Sequence, residues 1–127
     1  MTIRKYRILS GAIDSSGDAS VTTAHAIYGK VIAVGVNYPA ATCEVDLDTV
    51  GDATAQKIVN LAAANTDVVI YPRVALEDVT GTALDPSDAQ GGDTALYGEF
   101  AVAGPITLTI ASGTEGQSVI VDILVEE

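Results

Sequence analysis

Apolar and polar residues alternate along four stretches of this sequence, 31–38, 43–48, 106–110 and 118–127. Successive side chains of a β-strand point to opposite faces of a sheet, so a period of two is typical of half-buried strands and does not fit an amphipathic helix. The apolar members of these sets, which we expect to face a core, are Ile32, Val34, Val36 and Tyr38; Cys43, Val45 and Leu47; Ile106, Leu108 and Ile110; and Val119, Val121, Ile123 and Val125. The alternation therefore predicts an all-β protein.

Turn-forming residues separate these stretches at fairly regular intervals. Segments such as 14–18, 79–82 and 112–116 combine Gly with Asp, Ser or Thr, a composition typical of tight turns. About eight short strands divided in this way predict an antiparallel β-sandwich or a small barrel. One segment, 54–65, is rich in helix formers, but Val59 disturbs its helical spacing, so we expect a strand centred on residues 57–61 instead.

The length of 127 residues predicts a single domain, residues 1–127, with enough chain to bury one core. Residues 1–12 would be either an N-terminal arm or an edge strand. The single cysteine excludes an internal disulfide. The longest apolar runs are far shorter than the roughly 20 residues of a membrane-spanning helix. The first eleven residues also lack the apolar stretch of a secretory signal. We therefore expect no membrane partner.

The charge of the chain is strongly acidic, with six Lys and Arg against seventeen Asp and Glu and a formal net charge of −11. Phosphate contacts need clustered cations, so we expect no nucleic-acid partner. Arg4, Lys5 and Arg7 place three of the six cations within four positions. They are either charges that protect an exposed edge strand or a cationic arm that docks on an acidic surface, such as a second copy of the chain.

No metal or cofactor signature is complete in this sequence. Asp46, Asp48 and Gly51 fit three positions of a calcium-binding EF-hand loop, but Val50 and Lys57 occupy two others that require ligands. Two looser acidic groups are better explained as a solvated strand face and a flexible loop: Asp46, Asp48 and Asp52, and Asp85, Asp88 and Asp93. We therefore expect neither a metal nor a cofactor.

Catalytic residues are equally scarce. The single histidine, His25, has no accompanying nucleophile signature. Cys43 alternates with apolar residues, which indicates a buried, inert thiol rather than a nucleophile. We expect that the protein is not an enzyme.

Tyr71, Pro72 and Arg73 interrupt an apolar stretch. Because proline removes one donor from a sheet, we expect Pro72 at an edge, a bulge or a place where strand pairing changes. Tyr71 and Arg73 would then share a face. The guanidinium would bind either an acidic residue, such as Glu77 or Asp78, or a turn carbonyl. The alternative is an interface anchor, since Tyr and Arg recur at interface hot spots.

The order of landmarks over residues 27–125 resembles the head decoration, or cement, proteins of tailed bacteriophages. The resemblance rests on "GKVIAVGVNY", then "CEVDLD", "NTDVVIYPRVALEDVTGTAL", "YGEFAVAGPITLTIASG" and "VIVDILV". It implies a jelly-roll-like antiparallel β-sandwich that forms a homodimer or homotrimer and cements neighbouring major capsid subunits. The protein would be made in the host bacterial cytoplasm and reside on the capsid surface of the virion. Intersubunit contacts would involve Arg4, Lys5, Arg7, Tyr71 and Arg73.

Two other functions remain open on the sequence alone. The first is a structural component of a phage tail, neck or fibre. The second is a carbohydrate-binding β-sandwich, which the absence of Trp weakens and the five tyrosines keep open.

Overall fold

The computed structural model describes residues 2–82 and 97–127, and within these ranges it contains ten β-strands and no helix. The strands are β1 (Ile3–Leu9), β2 (Ala19–Thr22), β3 (Ile27–Asn37), β4 (Cys43–Thr49), β5 (Lys57–Ala64), β6 (Val68–Ile70), β7 (Arg73–Ala75), β8 (Tyr97–Gly104), β9 (Ile106–Ala111) and β10 (Ile120–Glu126). The prediction of an all-β protein is confirmed. Among the described residues, none belongs to a helix long and apolar enough to span a membrane.

The strands form two antiparallel sheets. The six-stranded sheet has the order β1-β10-β3-β8-β7, with β6 also paired to β3, and the four-stranded sheet has the order β2-β9-β4-β5. The pairs are nested: β1 with β10, β2 with β9, β3 with β8, and β4 with β5. The eight nested strands form two layers of four, β1-β10-β3-β8 and β2-β9-β4-β5. This is the jelly-roll arrangement, which confirms the expected fold class. The short strands β6 and β7 lie between β5 and β8 in the chain and bring the strand count from about eight to ten.

The hydrophobic core lies between the two sheets. The inward sets predicted for β4, β9 and β10 are all buried, and Leu47, Leu108 and Ile123 have no exposed surface. Burying one such side chain stabilises a fold by roughly 1.5–3 kcal/mol. Aliphatic side chains from both sheets fill this core, as expected for a chain without Trp and with a single Phe.

Strand β3 departs from simple alternation at a β-bulge. Leu124 of β10 lies opposite Ala33, whereas the next residue, Val125, lies opposite Val31. Ile32 is the extra residue, and its side chain is only partly buried. The prediction that Ile32 faces the core is therefore wrong. The bulge shifts the inward phase by one residue, so Val31 before it and Val34 after it are both buried.

The ambiguous segment 54–65 contains a strand, as expected. β5 pairs with β4 from Lys57 to Ala64, and no helical turn occurs there. Ile58 and Val59 are both buried, although they are neighbours in sequence. The register to β4 shifts between Leu47 and Asp48, and this irregularity accounts for the break in alternation that made the segment ambiguous.

Candidate contact face

The outer face of the six-stranded sheet carries charged and apolar side chains that do not face the core. Inward residues such as Ile8, Val121 and Ile123 are at most 5% exposed, and their neighbours in sequence point to the other side. The strand register extends this second side across the sheet, and we call it the contact face. It comprises Ile3, Lys5, Arg7 and Leu9; Ile120, Asp122, Leu124 and Glu126; Tyr28, Lys30, Ala33, Gly35 and Asn37; Val69; Arg73 and Ala75; and Tyr97, Glu99, Ala101 and Ala103. Asp67 and Tyr71 flank β6 outside the paired residues, and we assign them to this face because they continue its alternation with Val69.

The contact face is electrically balanced, unlike the chain as a whole. It holds four of the six cationic side chains of the protein. These are Lys5, Arg7, Lys30 and Arg73, and its four carboxylates are Asp67, Glu99, Asp122 and Glu126. Counted over these described residues, the formal charge of this face is therefore zero, and the net charge of −11 belongs to the rest of the chain.

The outer face of the four-stranded sheet is different in character. Asp46 and Asp48 of β4 lie opposite Thr109 and Thr107 of β9, which in turn lie opposite Ser20 and Thr22 of β2. Lys57 Nζ lies 3.2 Å from Asp48 Oδ1 and 3.7 Å from Asp46 Oδ2. The ammonium group thus occupies the position that a bound cation would take between these two carboxylates.

Metal-binding geometry does not occur in residues 2–82 and 97–127, where no group of three or more His, Cys, Asp or Glu side chains could hold an ion. The second acidic group considered from the sequence, Asp85, Asp88 and Asp93, lies outside the described residues.

The three N-terminal cations belong to an edge strand, because residues 3–9 pair with β10 along their whole length. Arg7 binds Asp122 through two hydrogen bonds, from Nε at 2.8 Å and from Nη2 at 2.9 Å. Arg4 is on the other side of the strand, where its Nε lies 3.1 Å from Glu127. Lys5 makes no ion pair with any other described residue. Of the three cations, Lys5 and Arg7 therefore lie on the contact face and Arg4 does not.

The Tyr71-Pro72-Arg73 segment connects two strands with different partners. β6 pairs with β3 and β7 pairs with β8, so Pro72 lies where the pairing changes, as expected. Arg73 Nη1 donates a hydrogen bond of 2.7 Å to the carbonyl oxygen of Pro72. The guanidinium thus binds a turn carbonyl. Neither suggested acidic partner, Glu77 or Asp78, forms an ion pair with Arg73 among the described residues, and Asp78 instead accepts hydrogen bonds from Thr80 and Thr82.

Three tyrosines extend from the contact face into solvent. Tyr28, Tyr71 and Tyr97 are each 63% exposed, and Ile3, Leu9 and Val69 on the same face are more than half exposed. Large exposed apolar side chains that share one face are typical of interaction surfaces. Aromatic residues and arginine are also enriched at interfaces relative to other surface.

One group on this face was not identified from the sequence. Arg7, Asp122, Gly35 and Val69 form a row across four adjacent strands, and Gly35, which has no side chain, lies in a shallow notch of about 410 Å³. An isolated glycine inside a strand pattern is a known signal for close approach of another group. That signal is present at Gly35, but the neighbours that complete the notch become clear only from the register.

The two residues considered for catalysis, Cys43 and His25, lie in different environments. Cys43 is fully buried, and burial raises the pKa of its thiol, which disfavours the reactive thiolate. His25 is exposed in the connection between β2 and β3.

The Arg7–Asp122 pair predicts a pH dependence of stability. Hydrogen bonds from Arg7 lower the pKa of Asp122, because they favour its charged form. Such a carboxyl stabilises the fold above its unfolded-state pKa of about 3.9, and this contribution is lost as the pH falls through the folded-state pKa. We expect Asp122→Asn to be less stable than wild type at neutral pH, with a difference that shrinks below about pH 4.

Urea unfolding across this pH range measures the effect. Asp52→Asn is the matched control, because Asp52 makes no side-chain hydrogen bond within the described part of the chain. A difference between Asp122→Asn and wild type that stays constant with pH would contradict the ion-pair explanation.

Comparisons with known proteins give little further information. No protein-family model matches the chain, and no curated protein matches it. A chain from the solved structure of infectious bursal disease virus, Gx strain, is similar at 9% sequence identity and a TM-score of 0.32. The alignment covers 99% of this chain and 38% of the viral one, so the chain spans well under half the length of that neighbour.

Proposed function

We propose that the protein is a non-enzymatic structural protein of a tailed bacteriophage, which self-associates and binds the outside of the capsid. Its partners are the major capsid protein and further copies of itself. It is made in the host bacterial cytoplasm and becomes part of the virion. There it would clamp neighbouring capsid subunits, in the manner of the cement proteins that the sequence resembles.

The observation that carries this proposal is the contact face. A chain of −11 repels other acidic proteins and its own copies, which favours solubility before assembly. The contact face removes this repulsion over one side of the sandwich and adds exposed Tyr and aliphatic side chains. A folded sandwich with one neutral, aromatic-bearing side is suited to adhesion. Several such contacts made by one oligomer would add up through effective concentration.

The residues proposed from the sequence have distinct roles on this surface. Lys5, Arg7, Tyr71 and Arg73 would contact partners directly. Arg4 would act from the other side of β1, where its ion pair with Glu127 holds the edge strand against the C-terminal strand.

The proposal predicts a discrete oligomer that cosediments with bare phage heads. Light scattering gives the solution mass, and sedimentation of protein mixed with heads gives the bound fraction. We expect Lys5→Glu to weaken head binding by roughly tenfold, equivalent to about 1.4 kcal/mol, because it places a third negative charge beside those of Asp122 and Glu126.

The control for this experiment is Ser15→Glu/Ser20→Glu, which has the same net charge as Lys5→Glu but carries its new carboxylates on exposed positions away from the contact face. Binding by this control should be close to that of wild type. A wild-type protein that is monomeric and does not bind heads would overturn the proposal. Binding to isolated tails instead of heads would transfer it to a tail, neck or fibre component.

A second candidate function, carbohydrate binding, is favoured by the exposed tyrosines. Sugar-binding surfaces use aromatic faces, and Tyr28, Tyr71 and Tyr97 provide three. A glycan array distinguishes this candidate, since a cement protein should give no saturable signal on it.

A further inference from the structure

The notch at Gly35 is not required by the backbone. Gly35 does not adopt a positive φ, and the nearest atom to a Cβ added there would be Asp122 O at 4.0 Å, an ordinary contact. Glycine weakens a strand because it loses more entropy on folding and packs no side chain. Neither the backbone conformation nor a steric limit therefore requires glycine at position 35. What glycine does provide is open space on the contact face, which a larger side chain would fill.

The walls of the notch are already fixed in position. The two hydrogen bonds from Arg7 to Asp122 hold the guanidinium plane beside the notch. Val69, which is 57% exposed, forms the opposite wall, and Ile120 lines the notch as well. A pre-organised arginine next to an apolar recess suits an aromatic ring, because the ring can stack on the guanidinium at little entropic cost.

A suitable ring lies on the same face. Tyr71 follows Val69 by two residues, so its backbone is roughly 7 Å further along the chain from the notch wall. It is 63% exposed, and its hydroxyl forms no hydrogen bond within the described residues. Within one molecule, however, Tyr71 lies beside the notch and does not line it.

We propose that two copies of this chain associate through their contact faces about a twofold axis, with Tyr71 of each copy inserted into the Gly35 notch of the other. In a twofold contact, residue i of one copy meets residue j of the other and the reverse holds as well. Because Tyr71 and the notch are close neighbours on one face, an axis between them satisfies both contacts at once. Each tyrosine ring would then lie against Arg7 of the opposite copy.

Charge identifies a second copy as the occupant. Two chains of −11 repel each other through most of their surfaces, but the contact face has a formal charge of zero and mixes both signs. It can therefore meet its own copy without net repulsion. The alternative contact, in which the edge strand β1 pairs with β1 of a second copy, would be less favourable than contact through the faces. Antiparallel pairing centred on Tyr6 places Lys5 opposite Arg7, and like charges directly opposite are destabilising.

This inference rests on the proposed function and deepens its self-association part.

The test is a substitution whose side chain occupies the notch. Gly35→Thr introduces a strand-forming side chain without backbone strain. We expect it to keep the wild-type melting temperature or raise it slightly, while the dimer dissociation constant measured by sedimentation equilibrium rises at least tenfold. Tyr71→Ser should weaken the dimer similarly. Because Tyr71 is exposed, this variant keeps the test valid if Gly35→Thr folds poorly. Ala63→Thr introduces threonine at an exposed position of β5 in the other sheet, so it is the control and should remain dimeric.

The outcomes are distinct from those of the proposed function. A wild-type monomer, a trimer, or a Gly35→Thr or Tyr71→Ser protein that dimerises like wild type would overturn the twofold notch contact. If both variants are monomeric and only the dimeric proteins bind phage heads tightly, both proposals are supported. If the dimer depends on the notch but wild type ignores heads, this inference stands and capsid binding fails.

Discussion

Leu108→Ala is expected to lower the free energy of unfolding by about 3–5 kcal/mol, the largest effect of any single truncation that we predict. Leu108 lies in the middle of β9, opposite Leu47 of β4 on one side and Val21 of β2 on the other, and it has no exposed surface. Because it is held between two strands and under the other sheet, its surroundings can collapse only partly into the space that the alanine leaves. The lost transfer energy and the cavity both contribute.

Urea unfolding measured by circular dichroism tests this expectation. A domain of this kind has a total stability of about 5–15 kcal/mol, so the variant should lose a large fraction of it. Leu9→Ala removes the same atoms from a side chain that is 58% exposed and should cost less than about 1 kcal/mol. Equal losses for the two variants would contradict the burial assigned to Leu108.

Gly29→Ala is expected to destabilise the fold by roughly 2–4 kcal/mol, for a backbone reason rather than a cavity. Gly29 has φ +140, a conformation that residues with a side chain rarely adopt. A Cβ there would also collide with the backbone oxygen of Glu126 and lie 2.8 Å from Val125 Cγ1. Relief would require β3 and β10 to separate at the centre of the six-stranded sheet.

Gly35→Ala is the matched control for Gly29→Ala, six residues further along the same strand. Its Cβ would meet nothing closer than 4.0 Å, and its φ is not positive. We expect it to be neutral or slightly stabilising, because alanine reduces the entropy of the unfolded chain. Thermal unfolding of the two variants measures the contrast. If Gly35→Ala were as destabilising as Gly29→Ala, the view that Gly35 is structurally dispensable would be wrong.

The sequence alone predicted the fold class well because its strongest signal is period-two alternation. The sets in β4, β9 and β10 are clean, with polar residues between apolar ones, and all three were placed correctly. β3 was harder, since "VIAVGV" is apolar or small at every position and offers two equivalent phases. Only the pairing with β10 shows that Ile32 is the bulged residue.

The contact face was predicted only in part, because its composition also depends on strand pairing that the sequence does not show. The sequence marks Lys5, Arg7 and Arg73 as scarce cations and Tyr71 as a member, with Arg73, of a proline-containing segment. That they share a face depends on β6 and β7 joining the six-stranded sheet, which involves contacts between residues far apart in the chain. Arg4 illustrates the limit: its neighbour Lys5 lies on the contact face, but Arg4 is directed to Glu127 on the other side.

The nested strand pairing has a consequence for how the protein acquires its structure. Among the described residues, β1 is hydrogen-bonded to β10, and β2 pairs with β9, so each early strand has a partner that lies far along the chain. During synthesis β1 and β2 must therefore wait, unpaired, until β9 and β10 have emerged. Folding dominated by such distant pairings is slow, commonly milliseconds to seconds. The charges on β1 would limit wrong pairing between nascent chains during that interval.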